Sequence, residues 1–424
     1  MKEQLLQYVW RNQLFDTENL KTTLGEPIKV LNVGQWNSDS GPDFFNSKIE
    51  VGQTTWAGNI EIHLKSSDWF KHKHHLDKAY DNVILHVVLE DDSQVTRSNG
   101  TAIAALEILP DEKLEKSYNE LMNSVDWVAC EKRFHLLDPF FFKMSLNRLM
   151  VERLEKRMDE VQALLEQTKN NWNEAFYRAL ARNFGFKVNA EPFELLAKAT
   201  PLKVLAKHKN NLFQLECLLF GQAGFLNSEL IGDDYFLRLR KEFQFLYQKY
   251  KLKPIENHLW KFLRLRPGNF PTIRIAQFAA LIHQSNALFS QIIEVEKIAE
   301  LRKLFRVNAS DYWETHYRFN KETKQQNKRV GNRAIDGILI NTVVPFLFAY
   351  GELQSKQEMK DRELGFLESL PAEENAIVKK WSQLGMKSEN ALESQALLQL
   401  KHYYCEHKKC LDCQVGRRVL GAEK

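Results

Sequence analysis

The residues best suited to chemistry lie in the first quarter of the chain. Asp43 follows a Gly-Pro turn signal and opens an apolar run. Glu61 and His63 then alternate with apolar residues in 60–65, which is the pattern of a half-buried β-strand. Side chains two apart on a strand lie about 6.5–7 Å apart on the same face, so Glu61 and His63 can reach one ion between their tips. The pattern predicts a divalent-metal site made by Asp43, Glu61 and His63.

The ligand types of this predicted site indicate a metal and a reaction. Carboxylate oxygens suit Mg²⁺ or Mn²⁺, and the imidazole of His63 favours Mn²⁺ or a softer metal. Such an ion lowers the pKa of a bound water and stabilises charge on a phosphodiester. Lys65, predicted on the same face, would add positive charge at the phosphate. The alternative is a solvated sheet face with ordinary polar side chains.

Three more histidines follow in a segment predicted to be one helix over 68–80. His72 and His75 would share a face of that helix, with His74 between them. One interpretation is a cluster that contacts metal or phosphate. The pattern favours the other interpretation, a solvated basic helix face, because lysines interleave with the histidines. His86 lies in an apolar strand and is predicted to be a hydrogen-bonded core residue.

A second dense cluster lies near the C-terminus. Cys405, Cys410 and Cys413 fall within nine residues, with a histidine on either side of Cys405. Three thiols could hold a structural zinc ion, and with Cys130 as a fourth ligand they could instead hold an iron–sulfur cluster. Thiols without metal, including redox-active ones, are the alternative. Cys217 lies in an apolar helical run and is predicted to be a core residue.

Composition indicates an ordinary globular protein. The 424 residues are 44% hydrophobic and 27% charged, and 59 basic against 55 acidic residues give a net charge of only +4. Any surface that binds nucleic acid must therefore come from local clustering. We expect a cytoplasmic protein without a membrane span, because no cationic leader opens the chain and the apolar run 338–350 is too short to cross a bilayer. The oligomeric state is left open.

The elements that must position these residues change along the chain. A helix over 3–12 is followed by strands at 28–32, 83–89 and 102–109, with the 41–65 hairpin between the first two, and these predict a mixed α/β sheet unit. The remainder is predicted to be helical, with a polar, exposed loop at 321–333. The sequence therefore predicts an α+β protein, with domains at 1–135, 136–320 and 333–424. The tryptophans of the sheet region, Trp36, Trp56 and Trp69, are predicted to pack around it, and a platform for base stacking is the alternative.

Five motifs together resemble a bacterial protein family of unknown function. They are Gly41-Pro42-Asp43-Phe44, Gly58-Asn59-Ile60-Glu61-Ile62-His63, the 266–274 segment, Asn341-Thr342-Val343-Val344-Pro345 and Cys410-Leu411-Asp412-Cys413. This resemblance covers essentially the whole chain. It implies no activity.

Separately, the N-terminal third resembles the core of the PD-(D/E)XK nuclease superfamily. Asp43 matches its first acidic motif and Glu61-x-His63 its second, although that superfamily usually carries lysine where His63 stands. The resemblance implies a restriction-endonuclease-like sheet and a divalent-metal-dependent nuclease acting on DNA or RNA. The alternative is an inactive scaffold of the same fold that binds nucleic acid or protein. Arg266, Arg274 and the 321–333 loop would supply phosphate contacts.

Overall fold

The chain folds into two compact units. The computed structural model describes residues 2–226 and 232–421. The first unit contains residues 2–145 and 400–421, and the second contains residues 146–226 and 232–399. The C-terminal cysteine segment therefore belongs to the same unit as the N-terminal sheet. This grouping differs from the expected three-part division, which gave 333–424 a region of its own.

The first unit is built on a six-stranded mixed sheet. Helix α1 (Glu3–Arg11) precedes strands β1 (Ile28–Asn32), β2 (Gln35–Trp36), β3 (Phe44–Val51), β4 (Thr54–Lys65), β5 (Val83–Glu90) and β6 (Ala104–Glu107). The main path is β1-β3-β4-β5-β6, and β2 also pairs with β3. The β1–β3 and β3–β4 pairs are antiparallel, whereas β4–β5 and β5–β6 are parallel. A mixed sheet followed by a large helical region confirms the predicted α+β class.

Strand β4 carries the predicted site, and local sequence explains its course. Gly58 lets β4 pass close to the start of β5, because a Cβ there would lie 2.5 Å from both the carbonyl oxygen of Asn82 and the side chain of Ile84. Beyond Gly58, Ile60 and Ile62 are fully buried. Alternation along the strand then directs the intervening Glu61 and His63 to the opposite face.

The connection from β4 to β5 is the element that builds the site. Parallel neighbours need a crossover over one face of the sheet. Here it consists of α2 (Asp68–Lys71) and two 3₁₀ turns, His74–Leu76 and Lys78–Tyr80. The predicted single helix over 68–80 is wrong, because Lys73 adopts the left-handed conformation (φ +64°) and ends the helix.

The packing prediction for the tryptophans is confirmed for one of three. Trp69 in α2 is fully buried and donates from its indole nitrogen to the Thr96 carbonyl. Trp36 and Trp56 are instead exposed at 44% and 47%. Both lie on strands, and the packing prediction for them is wrong.

Helices dominate the rest of the chain. They are α3 (Glu112–Asn123), α4 (Pro139–Gln167), α5 (Trp172–Phe184), α6 (Phe186–Ala199), α7 (Leu202–Ala206), α8 (Leu212–Gln222), α9 (Asp234–Tyr250), α10 (Pro271–Gln284), α11 (Leu288–Glu294), α12 (Ile298–Leu304), α13 (Asp311–Glu314), α14 (Asn332–Ile338), α15 (Val344–Leu353), α16 (Gln357–Ser369), α17 (Ala376–Gln383), α18 (Ala391–Gln399) and α19 (Gln414–Leu420). Two short strands, β7 (His316–Arg318) and β8 (Lys321–Glu322), form a small hairpin that is too short to show alternation.

The segment 321–333 was predicted to be an exposed loop, and the structure corrects this in part. Lys328 is only 5% exposed, and its ammonium lies 3.8 Å from the centre of the Tyr317 ring. Val330 is buried as well. The segment is therefore anchored in its middle and is exposed only on either side.

One helical stretch, Asn332–Leu353, has the length and apolar composition of a membrane span. It runs for 22 residues, because α14 and α15 are joined by a π-helical turn, Leu339–Val343. The apolar run is thus longer than the 338–350 segment considered from the sequence. However, 78% of its most apolar window is buried within the protein, as expected for the core helix of a globular unit.

Candidate metal centre

Two carboxylates are fixed against each other at the start of β3 and the middle of β4. The backbone N–H of Asp43 donates to Glu61 Oε2 at 3.1 Å, and the N–H of Ile62 donates to Asp43 Oδ2 at 2.9 Å. Helix α1 completes the arrangement, since Gln7 Nε2 donates to Asp43 Oδ1 at 2.8 Å. Each carboxylate is therefore oriented by hydrogen bonds and keeps lone pairs for a further ligand.

Three imidazoles form a line beside these carboxylates. His63 Nδ1 lies 2.8 Å from His86 Nε2, and His63 Nε2 lies 3.1 Å from His72 Nδ1. The parallel register places His86 beside Glu61, so His63 and His86 lie on the same face of the sheet. Both are buried, whereas His72 is exposed. The line therefore runs from the interior to the surface.

A fourth imidazole, from the first 3₁₀ turn, closes the cluster. His74 Nε2 lies 3.3 Å from Glu61 Oε1 and has no hydrogen-bond partner, although it is buried. His63 Nε2 lies 3.5 Å from the same oxygen. One ligand atom from each of His63, His72 and His74 can be chosen so that all lie within 4.8 Å of one another. We call Asp43, Glu61, His63, His72 and His74 the histidine–carboxylate cluster.

These separations fit a bound cation. A metal that binds nitrogen or oxygen at about 2.0–2.2 Å separates neighbouring ligand atoms by about 3.0–3.5 Å in octahedral or tetrahedral geometry. The three contacts between ligand atoms, at 3.1, 3.3 and 3.5 Å, fall in that range. The unpartnered nitrogen of His74 is a second sign, because buried polar atoms rarely lack a partner. The donor set suits a divalent transition metal.

The carboxyl groups carry raised pKa values. Burial raises the pKa of Asp43 to about 7, and the nearby charge of Glu61 raises it further. Burial also raises the pKa of Glu61 to about 8, with a smaller contribution from Glu3. Without a cation, ionising both groups together is therefore unfavourable near neutral pH. A bound cation would reverse this effect.

Burial keeps three of the imidazoles, those of His63, His74 and His86, neutral. Burial lowers the pKa of His63 to about 2, and the neighbouring His86 lowers it further. Burial lowers the pKa of His86 to about 4 and also lowers that of His74. The contacts of His63 and His74 with Glu61 are therefore not ion pairs. Neutral imidazoles offer the lone pairs that metals need.

The structure brings together three of the four residues predicted at this site. Asp43, Glu61 and His63 converge, but the ammonium of Lys65 pairs with Glu90 at 2.7 Å and is exposed. The predicted core role of His86 is confirmed by its burial and its contact with His63.

The solvated helix face preferred for the histidines in 68–80 does not form, because the helix ends at Lys71; His72 is nevertheless exposed, whereas His74 is mostly buried. Both approach His63, because the left-handed Lys73 turns the chain between them. A His-x-His spacing is a recurrent source of paired ligands and is the signal that could have found them. Gln7 and Glu3 were also missed, since only tertiary packing brings α1 to Asp43.

Two of the groups expected to contact phosphate are already engaged. Arg274 is buried and donates to Gln277 and Asn269. Lys328 donates to a backbone carbonyl and stacks on Tyr317. Arg266 is exposed and remains compatible with the expectation.

Four of the five cysteines lie in the first unit, and none of them forms a disulfide. Cys130, Cys410 and Cys413 are buried, and Cys405 is half-buried. Cys217 is fully buried in the second unit, which confirms its predicted core position.

Comparison with known proteins identifies a family. Searches of curated proteins and of solved structures found no match. The family model described as "Protein of unknown function (DUF2851)" matches residues 3–376, which include the whole histidine–carboxylate cluster. Because the match covers most of the chain, this protein belongs to the DUF2851 family.

Proposed function

We propose that this protein is a divalent-metal-dependent phosphodiesterase that cleaves DNA or RNA. The observation that carries the proposal is the convergence of His63 and His74 on Glu61 Oε1, while Glu61 Oε2 accepts the backbone N–H of Asp43. Paired carboxylates with a few neutral nitrogens on a rigid sheet are typical of metal-dependent hydrolases.

The donor set selects the cation. Glu61, His63 and His74 would hold it, with His72 or Asp43 completing the shell. Several imidazoles together with carboxylates favour Mn²⁺ over Mg²⁺, which binds almost entirely through oxygen. When bound, the cation would lower the pKa of a water and stabilise negative charge on a phosphodiester.

The chain's own residues have distinct roles in this proposal. The N–H of Ile62 and the amide of Gln7 orient the Asp43 carboxylate. His86 fixes the ring of His63, as partners of metal-ligating histidines commonly do. If Asp43 completes the ligand shell, His72, the exposed imidazole of the cluster, would be best placed to accept a proton from an attacking water.

Two further observations favour a nucleic acid as the substrate. Trp36 is exposed, and on the neighbouring strand it pairs with Phe44, the residue after Asp43. The guanidinium of Arg11 lies 5.1 Å from the centre of the Trp36 ring. An exposed indole beside a cation is a suitable stacking platform for a base. In addition, the order of a helix, four antiparallel strands, a crossover and a parallel strand is compatible with the resemblance to the nuclease superfamily.

The test is hydrolysis of single- and double-stranded DNA and RNA with Mn²⁺ or Mg²⁺. We expect Mn²⁺-dependent cleavage that falls by at least about 100-fold in Glu61→Gln, a change that keeps the side-chain shape. The control variant is Glu50→Gln. Glu50 lies on β3 opposite Thr55, six residues along β4 from Glu61 and therefore about 20 Å away.

A second function is favoured by one observation, the absence of a lysine in the cluster. His63 stands where the related superfamily carries lysine, and Lys65 pairs with Glu90. This favours an inactive scaffold that binds nucleic acid or protein. The proposal of a phosphodiesterase would be contradicted if the wild type cleaved no substrate, or if the wild type and Glu61→Gln cleaved at equal rates. Mn²⁺ binding without cleavage would instead support the inactive scaffold.

A further inference from the structure

The C-terminal cysteines meet a cysteine from a distant part of the chain. Cys130 lies 275 residues before Cys405, yet both belong to the first unit. Cys130, Cys410 and Cys413 are 6%, 8% and 6% exposed. Helix α19, which follows Cys413, packs against the 3₁₀ helix Glu131–Leu136, which follows Cys130. Burial raises the pKa of Cys405, and nearby Cys413, Cys130 and Cys410 raise it further, in agreement with this packing.

Backbone geometry supports Cys413 as a metal ligand. The N–H of Gly416 donates to Cys413 Sγ at 3.4 Å at the first turn of α19. Hydrogen bonds of this kind stabilise a thiolate and orient it for a metal. A Cβ at Gly416 would lie 2.3 Å from the carbonyl oxygen of Cys410, so glycine is what lets α19 begin against the cysteine turn.

Lysine contacts hold the two chain segments together beside the thiols. Lys408 donates to the carbonyl oxygens of Met122 and Ser124, at 2.6 and 3.0 Å. Lys401 donates to the carbonyl of Trp127 at 3.3 Å and lies over its ring. These contacts fix the segment that leads to Cys130 against the C-terminal segment.

We propose that Cys130, Cys405, Cys410 and Cys413 bind an iron–sulfur cluster. Four cysteine ligands are the usual shell for such a cluster. Each thiol would release a proton to water as its sulfur binds iron, and the iron and sulfide would come from solution. The cluster would join the two ends of the first unit. This proposal does not depend on the proposed nuclease activity.

The spacing of the sulfur atoms favours a cluster over one zinc ion. A tetrahedral zinc site places its sulfurs about 3.8 Å apart, because each lies about 2.3 Å from the metal. Among the residues that the structure describes, no set of three that includes a cysteine has all its ligand atoms within 4.8 Å. A cluster separates its thiolates more widely, since each binds a different iron atom.

The test is metal analysis of the full-length protein purified without oxygen. We expect iron and acid-labile sulfide in stoichiometric amounts, with visible charge-transfer absorbance. Both should fall several-fold in Cys130→Ser and in Cys413→Ser. Cys217→Ala is the matched control, since Cys217 is a buried cysteine of the other unit, and it should keep the wild-type metal content.

Folding and metal loss are separated by a second measurement. Circular dichroism should show that the serine variants keep their helical content when iron is lost. Zinc in place of iron in the wild-type protein would contradict the proposed iron–sulfur cluster. Iron retained by Cys130→Ser, or no metal in a folded wild type, would overturn it as well.

Discussion

The protein has two proposed metal sites that differ in their ligands. One is the histidine–carboxylate cluster, and the other is the four-cysteine cluster, formed by Cys130, Cys405, Cys410 and Cys413. The first draws its ligands from 43–74, on one sheet and its crossover. The second draws on residues 130 and 405–413. The first exposes His72 and half-exposes Asp43, whereas three of the four cysteines are buried. Open sites are typical of catalysis and closed sites of structural metals.

Burial gives the two clusters a common feature. It raises the pKa values of Asp43 and Glu61 in the first, and those of Cys130, Cys405 and Cys410 in the second. Each cluster is therefore poorly suited to carrying its negative charge alone. Under the two proposals a cation would stabilise both clusters, and its removal would have different consequences in each.

The largest expected effect is a fall in the melting temperature when a residue of the four-cysteine cluster is replaced. Cys130→Ser should lower the melting temperature of the anaerobic protein by about 10 °C, because losing several kcal/mol from a unit of this size shifts the transition by that order. Glu61→Gln should lower it by less than Cys130→Ser does. Thermal melts of the two variants test this difference. Equal shifts would remove the distinction between a structural site and a reactive site.

The next effect is on cation affinity at the histidine–carboxylate cluster. His74→Ala should weaken Mn²⁺ binding by about 100-fold, because it removes the nitrogen that lies 3.3 Å from Glu61. His75→Ala is the matched control, since His75 is in the same 3₁₀ turn and contacts Phe70. Titration calorimetry measures both. A similar loss of Mn²⁺ affinity in both variants would show that the conformation of the turn is required, and would contradict a ligand role for His74.

The pH dependence of binding should follow the carboxyl groups. The pKa values of Asp43 and Glu61, about 7 and about 8, mean that Mn²⁺ must displace protons at neutral pH. Affinity should therefore rise about 10- to 100-fold between pH 6 and pH 8. Binding that is unchanged over this range would contradict coordination by these groups.

The same groups set the stability of the metal-free protein. The folded protein holds these protons at pH values where the unfolded chain has already released them, so the free energy of unfolding should fall as pH rises through 7 and 8. Urea unfolding in the presence of a chelator measures this. Mn²⁺ at saturating concentration should reverse the trend.

The smallest effect is expected at Lys65. Because its ammonium pairs with Glu90 at the surface, Lys65→Ala should change Mn²⁺ affinity and cleavage by no more than about twofold. A tenfold or greater loss of Mn²⁺ affinity or cleavage would instead support the role expected from the sequence, in which Lys65 adds positive charge at the phosphate. Cleavage rates at saturating Mn²⁺ make this measurement.

Sequence predicted the part of the site that depends on local pattern. Alternation in β4 was enough to place Glu61 and His63 on one face, and the Gly-Pro turn placed Asp43 at the start of β3. The helix over 68–80 failed because a residue other than glycine, Lys73, adopts a left-handed conformation that no local pattern indicates. The left-handed residue lies between His72 and His74, both of which contact His63.

Long-range contacts account for the remaining differences. Gln7 reaches Asp43 only because α1 packs on the sheet, and the segment after Cys130 packs on α19 only because two distant stretches of the chain belong to one unit. Burial of Lys328 likewise depends on Tyr317 and not on its polar neighbours in sequence. Composition and periodicity carry no information about such pairings.

Mn²⁺ binding to the metal-free protein tests the central claim most directly. Calorimetric titration of the wild type, Glu61→Gln and Glu50→Gln should give one tight site in the first and third proteins. The affinity of Glu61→Gln should be weaker by at least about 100-fold. Equal affinity in all three proteins would contradict a cation site built around Glu61.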